Sequence, residues 1–258
     1  MSGPLHVEVH AGAGPPLLLV HGICSSRAQW RPNLATLGEV CTPVVVELLG
    51  HGRSESPDDP DAYRVEAYIQ HFEAIREGLG AARWAICGQS FGAGLTLNYA
   101  LAHPARISAQ VFTNSASALG PRRGPADELR DRNIAAFEAR GRSALEAMAF
   151  YPRRTGRLSP DVEEELVRDA GLISLGGMAR SVCVTVPGLS VADRLGEIAV
   201  PTLLMNGRRE KGFQALRDLA ARKISGLDVV DLEGGHPINL DQADRFNTAV
   251  AAFLERHR

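Results

Sequence analysis

Apolar residues in this chain recur in two rhythms. Short unbroken runs at Leu17–Val20, Thr42–Leu48, Trp84–Cys87, Ile107–Thr113, Pro201–Asn206 and Leu227–Leu232 have the length and composition of strands in a buried sheet. Between them, recurrence every three to four residues predicts helices over about 29–37, 62–79, 213–222 and 242–257. Another follows Ser90 and ends near His103, because Pro104 disfavours helix at the residue before it. Leu5 to His10 alternates apolar and polar residues, and turn-forming residues 11–16 follow, which predicts an edge hairpin leading into Leu17–Val20.

Alternation of strand and helix from Leu17 to Thr113 implies βαβ units and a parallel sheet, hence an α/β fold. The pattern then changes. Residues 116–192 are rich in Arg, Glu and Ala, show helical periodicity over 128–139, 143–150 and 161–170, and contain no buried strand run. The expected organisation is a core of residues 1–115 and 193–258 interrupted by a helical insertion at 116–192. No internal repeat or low-complexity tract breaks this plan.

Composition narrows the functional classes. A length of 258 residues suits one α/β domain with an insertion. A net charge of -2 gives no sign of a nucleic-acid or membrane-surface partner. The four cysteines, Cys24, Cys41, Cys87 and Cys183, lack paired metal-ligand spacing and read as reduced thiols. The first ten residues lack the basic and apolar regions of a signal peptide, and no apolar run is long enough to span a bilayer. The expectation is a soluble cytoplasmic protein, monomer or homodimer, acting on a small molecule.

Chemistry concentrates at Gly88-Gln89-Ser90-Phe91-Gly92, which lies where a strand turns into a helix. A serine at the tip of such an elbow has its hydroxyl pushed out of the sheet, and the flanking glycines let strand and helix pass closely. A serine hydroxyl needs a base to take its proton and a third group to orient that base. The chain supplies Gly235-His236-Pro237 after its last strand run and Gly207-Arg208-Arg209-Glu210 after the preceding one, in the order serine, acid, histidine. Both follow the carboxyl ends of parallel strands, the edge at which open α/β sheets form ligand sites. The bland alternatives are a surface-loop histidine and a solvated glutamate. Competing acids are Asp231, inside the last strand run, and Asp193, at the end of the insertion. Two backbone N–H groups, those of Phe91 and Ile23, are expected to face an oxyanion. His21 is expected to brace the loop after Val20.

His21-Gly22, Gly50-His51-Gly52-Arg53-Ser54, the elbow, Pro201-Thr202-Leu203-Leu204 with Gly207-x-x-Glu210, and Gly235-His236 jointly resemble the α/β-hydrolase superfamily. The resemblance covers all but the insertion. It implies an α/β-hydrolase fold with a mostly parallel eight-stranded sheet flanked by helices and a helical cap inserted after the sixth strand. Phe112-Thr113-Asn114-Ser115-Ala116 and the cap look somewhat like 3-oxoadipate enol-lactonases and related small esterases. Relatives usually carry Asp where this chain has Glu47, a change read as loop bracing, and more often Asp where Glu210 stands. Asn114, where some relatives keep their acid, cannot act as a carboxylate, which favours Glu210. Serine at the elbow tip excludes the carboxylate chemistry of epoxide hydrolases and haloalkane dehalogenases.

The implied activity is hydrolysis of a carboxylic ester, lactone or thioester through an acyl-enzyme, with Ser90, His236 and Glu210 as the triad. It needs no cofactor and no metal. Carbon–carbon bond hydrolysis of a vinylogous diketone is the alternative on the same fold, and a non-catalytic ligand-binding member the alternative from another class. A cofactor-free perhydrolase activity would be a side reaction. The cap holds eleven arginines between Arg122 and Arg180, one or two of which could face the cleft, the remainder being solvated. Phe137, Met148, Phe150 and Tyr151 are expected either to line an acyl pocket or to pack the cap onto the core.

Overall fold

The apolar runs are unbroken because both faces of the sheet are covered. The computed structural model describes residues 3–121, 129–153 and 158–258. Its seven strands are β1 (Val7–Val9), β2 (Pro16–Val20), β3 (Thr42–Val46), β4 (Trp84–Gly88), β5 (Ile107–Thr113), β6 (Thr202–Gly207) and β7 (Asp228–Leu232). They lie in the order β1-β3-β2-β4-β5-β6-β7. Every pairing is parallel except that of β1 with β3.

Helices α1 (Arg31–Gly38), α2 (Val65–Gly78) and α3 (Phe91–Ala102) belong to the first half. Between β5 and β6 lie α4 (Ala116–Leu119), α5 (Arg130–Ala139), α6 (Arg142–Glu146), α7 (Pro160–Ala170), α8 (Leu175–Arg180) and the single turn α9 (Val186–Gly188). After β6 come α10 (Gln214–Lys223), α11 (Ile238–Asp241) and α12 (Ala243–Arg256). Alternation along each strand divides the core. Leu18, Val20, Ile86, Phe112 and Leu204 pack with Tyr68, Phe72, Leu95 and Phe213 on one face. Leu17, Leu19, Cys87, Val111 and Met205 pack with Leu37, Phe246, Val250 and Phe253 on the other.

Two expectations change at the sheet edge. β1 does not form a hairpin with β2. It pairs antiparallel with β3, and the connecting loop crosses the start of β3, with the Ala13 N–H donating to the Gly38 carbonyl and Thr42 N–H to Pro15. Glycine makes that crossing possible, since a Cβ at Gly12 would lie 1.9 Å from the Cys41 carbonyl oxygen. Among the described residues the sheet has seven strands where eight were implied. The chain entering β1 follows the loop after β3 instead of forming an outer strand: the Pro4 carbonyl accepts from the Glu55 N–H and the His6 carbonyl from Glu47.

Pro32 delays the regular part of the first helix. Arg27–Trp30 forms a tight turn capped by the Ser26 hydroxyl, and α1 begins only at Arg31. The periodicity at 143–150 yields the shorter α6, ending at Glu146. Glu128, at the start of the expected 128–139 helix, lies outside the described residues.

The β5–β6 segment contains helices and no strand among its described residues. Ala118, Leu119, Leu189 and Val191, near its two ends, enter the main core cluster. Farther out, Leu145, Ile173 and Met178 pack on Cys24, and Val162 and Leu166 on Ala28. Ion pairs complete the attachment: Arg27 and Arg31 both reach Glu165 at 2.7 and 2.8 Å, and Arg53 spans Glu47 and Asp169. Glu47 also accepts the Arg53 N–H at 2.7 Å, the loop-bracing part expected of it. All four cysteines are free thiols. No single described helix is long and apolar enough to cross a membrane.

Candidate active site

The turn from β4 into α3 holds Ser90 at φ 53° and ψ -108°, a backbone conformation rare for a residue with a side chain. The local sequence makes the turn possible. A Cβ at Gly88 would lie 2.4 Å from the Gly92 carbonyl oxygen, and one at Gly92 would lie 2.3 Å from that of Val20. The Ser90 N–H donates to Thr113 Oγ1 at 3.2 Å, fastening the elbow to the end of β5.

Two loops far from the elbow in sequence converge on it. The loop after β7 brings His236 Nε2 to 2.7 Å from Ser90 Oγ. The loop after β6 brings Glu210 Oε2 to 2.9 Å from His236 Nδ1. An ionised carboxylate only accepts hydrogen bonds, so Nδ1 carries the proton, and Nε2 is left with its lone pair toward the serine hydroxyl. The arrangement can therefore move a proton from Ser90 to His236 while Glu210 faces the positive charge that develops.

Burial raises the Glu210 carboxyl. The hydrogen bond and charge of His236, together with the Asn114 amide, outweigh that effect and hold it below the usual carboxylate range. Asn114 Nδ2 donates to Glu210 Oε2 at 2.8 Å, and its amide oxygen accepts the Gly207 N–H at 3.0 Å. Asn114 thus positions the Glu210 carboxylate. Asp231 is engaged elsewhere, by Arg217 at 2.8 Å and Asn206 at 2.7 Å. Asp193 lies exposed on a turn at the end of the β5–β6 segment.

The loop after β2 is fixed by groups that leave the Ile23 amide available. The Gly22 N–H donates to Gln29 Oε1, Cys24 N–H to His51 Nε2, and Ser25 N–H to the Gly22 carbonyl. The Ile23 N–H makes no hydrogen bond among the described residues, and Ile23 lines the cavity above Ser90. Phe91 is the first residue of α3, so its N–H has no intrahelical acceptor. Behind this loop, buried His21 donates from Nδ1 to the Gly22 carbonyl and accepts the Leu48 N–H at Nε2. Neighbouring His51 donates from Nδ1 to the Leu49 carbonyl. Burial drives both pKa values down, to about 4 for His21 and about 3 for His51, so both imidazoles are neutral braces.

The cavity over Ser90 has a volume of about 440 Å³ and a largely apolar wall. Ile23, Phe150, Tyr151, Leu158, Leu166 and Leu240 supply the apolar surface, and Ser25, Gln29 and Glu163 polar groups. Among the described arginines of the β5–β6 segment, Arg153 lines it. Arg122, Arg123, Arg154 and Arg157 lie outside the described residues. Phe137 and Met148 pack against the cluster around Cys24, whereas Phe150 stacks on His236 with ring centroids 4.5 Å apart. Sequence reasoning did not reach the contacts of Thr113, Asn114 and Phe150. The first two sit where β5 ends, beside the elbow strand, which is the one sequence signal that could have pointed to them.

Residues 15–243 match the model of a family described as alpha/beta hydrolase fold. The chain is 33% identical to the 2-hydroxymuconate semialdehyde hydrolase of Pseudomonas sp. strain CF600, across 95% of its own length and 88% of that protein. It is 24% identical to the 3-oxoadipate enol-lactonase 2 of Acinetobacter baylyi, across 94% and 89%. Its backbone is similar to the crystal structure of the enol-lactonase from Burkholderia xenovorans, with a TM-score of 0.79, 24% identity and coverage of 97% and 96%.

Proposed function

The chain belongs to the α/β-hydrolase family, and on that premise we propose that it is a serine hydrolase that cleaves a carboxylic ester, lactones and thioesters included, through an acyl-enzyme. The observation that carries this reading is the pair of short contacts, Ser90 Oγ to His236 Nε2 at 2.7 Å and His236 Nδ1 to Glu210 Oε2 at 2.9 Å, at the wall of an apolar cavity.

In this mechanism Ser90 Oγ attacks the acyl carbon as His236 Nε2 takes its proton. Glu210 stabilises the imidazolium, and the N–H groups of Ile23 and Phe91 bind the oxyanion. Collapse breaks the bond to the leaving oxygen, or to sulfur in a thioester, and that atom receives the proton from His236. A water deprotonated by His236 then attacks the acyl-enzyme and releases the acid. The described helices between β5 and β6 act as a cap over the cavity that shields the bound substrate from bulk water. No step requires a cofactor or a metal.

A second reading, hydrolysis of a carbon–carbon bond in a vinylogous diketone, is favoured by the 33% identity to the 2-hydroxymuconate semialdehyde hydrolase. It uses the same acylation at Ser90, but the bond broken is carbon–carbon, and the departing group leaves as a dienolate whose charge rests on the far carbonyl oxygen and which takes up the proton held by His236. A substrate panel of short and long esters, lactones, thioesters and a ring-fission diketone separates the two. Ester turnover that exceeds diketone turnover by more than about tenfold in kcat/KM, and disappears in Ser90→Ala, is the expected result. The opposite ranking would select carbon–carbon hydrolysis, and undiminished turnover in Ser90→Ala would remove both readings.

A further inference from the structure

One aromatic ring of the β5–β6 segment lies on the imidazole itself. Phe150 is 49% exposed, a poor position for a packing residue. Its ring nevertheless stacks on His236 at a centroid distance of 4.5 Å and an interplanar angle of 21°. The loop that presents it is tied at several points. Arg142 Nη2 donates to the Tyr151 hydroxyl at 3.2 Å, and the Arg153 guanidinium donates to the Glu146 carbonyl at the end of α6. Two residues before Phe150, Met148 Sδ lies 3.5 Å from Sγ of Cys24, the neighbour of Ile23. The run from Met148 to Phe150 thus touches the loop that carries the Ile23 amide and the imidazole at once.

We propose that Phe150 is a positioning residue for His236, through which placement of the β5–β6 segment sets the orientation of the imidazole. The inference rests on the reading of Ser90 and His236 as nucleophile and base. Glu210 fixes one edge of the imidazole and leaves rotation about the Nδ1 contact open. A ring lying flat on one face removes that freedom and keeps Nε2 directed at Ser90. Its π face also attracts the positive charge that the imidazole gains when it takes the serine proton. That second contribution exists only after proton transfer, so Phe150 should act on kcat more than on KM.

The test compares Phe150→Leu with Phe150→Tyr on p-nitrophenyl acetate, a substrate too small to need the far wall of the cavity. Leucine keeps apolar bulk and loses the stack, whereas tyrosine restores the stack. Phe150→Leu should lower kcat roughly three- to tenfold with KM within about twofold, and Phe150→Tyr should recover most of kcat. A packing role would be served by leucine, so wild-type kcat in Phe150→Leu overturns the proposal. So does an equal loss in both variants, or a loss confined to KM. Ser90→Ala run in parallel separates the two levels: its retained turnover would defeat the underlying reading, whereas a dead Ser90→Ala with unaffected Phe150→Leu defeats this inference alone.

Discussion

The sheet edge and the helical segment above it meet at Ser90, and they are held in place by different forces. The sheet edge is fixed by backbone constraint and burial: the strained Ser90, glycines that admit no Cβ, and two neutral histidines wholly inside the core. The segment between β5 and β6 is rooted in the core at its ends, but its body rests on two small apolar clusters and on ion pairs such as Arg27 and Arg31 with Glu165. Burial of apolar surface is indifferent to salt and to modest pH changes, whereas partly exposed ion pairs are weak and screened. The proposed chemistry is accordingly built on the more tightly constrained part, and the proposed cap on the part held by weaker contacts.

Replacing the acid should give the largest effect on the sheet-edge side. Glu210→Gln leaves the packing intact but removes the charge opposite the imidazolium, and turnover should fall roughly 10³- to 10⁴-fold. Asp231→Asn should stay within about threefold, because Arg217 and Asn206 already occupy that carboxylate. A loss below about tenfold in Glu210→Gln would move the acid elsewhere.

The histidine braces predict how the sheet edge responds to acid. Above pH 6.5, the ordinary histidine value, folded and unfolded chains both hold His21 and His51 neutral. Below it, the unfolded chain takes up protons that the folded core refuses, so stability falls with pH until about 4 for His21 and about 3 for His51. The slope is about 1.4 kcal/mol per pH unit for each, or about 4 kcal/mol between pH 7 and pH 5. Urea unfolding at those two pH values measures it. Equal stabilities would mean that the two imidazoles are not buried neutral.

Smaller effects probe how the two regions are joined. Asn114→Ala deletes the amide that holds Glu210 and should lower kcat about tenfold with the fold retained. Glu165→Gln weakens the contacts to Arg27 and Arg31. It should raise KM about twofold for a long-chain ester and leave kcat on a short one unchanged, an effect that added salt should mimic in the wild type. A segment held as rigidly as the sheet would show neither.

Much of the sheet-edge half is legible in the sequence. Buried strands announce themselves as apolar runs, and the elbow as glycines around a serine. The order of Ser90, Glu210 and His236 along the chain limits how they can meet. The exceptions are places where a backbone contact overrides a pattern, as when Gly12 lets β1 pass to β3 instead of pairing with β2. The helical half is less legible. Periodicity finds α5 and α7, but a helix with one buried residue, Ile134 in α5, carries little information about what it packs against. Nothing in the identity of Phe150 distinguishes a ring on His236 from one in an apolar pocket, since that outcome depends on how the loop after α6 is tied. Asn114 reads from sequence as a lost acid, and only the geometry shows it holding the Glu210 carboxylate.

The central claim, that Ser90 is the nucleophile activated by His236, is tested most directly by covalent labelling with a fluorophosphonate, read by intact mass and peptide mapping. The wild type should gain one adduct, located on Ser90, and lose its ester turnover in step with labelling. Ser90→Ala and His236→Ala should label at background rates. An adduct on another residue, or ester turnover that survives complete labelling of Ser90, would contradict the account.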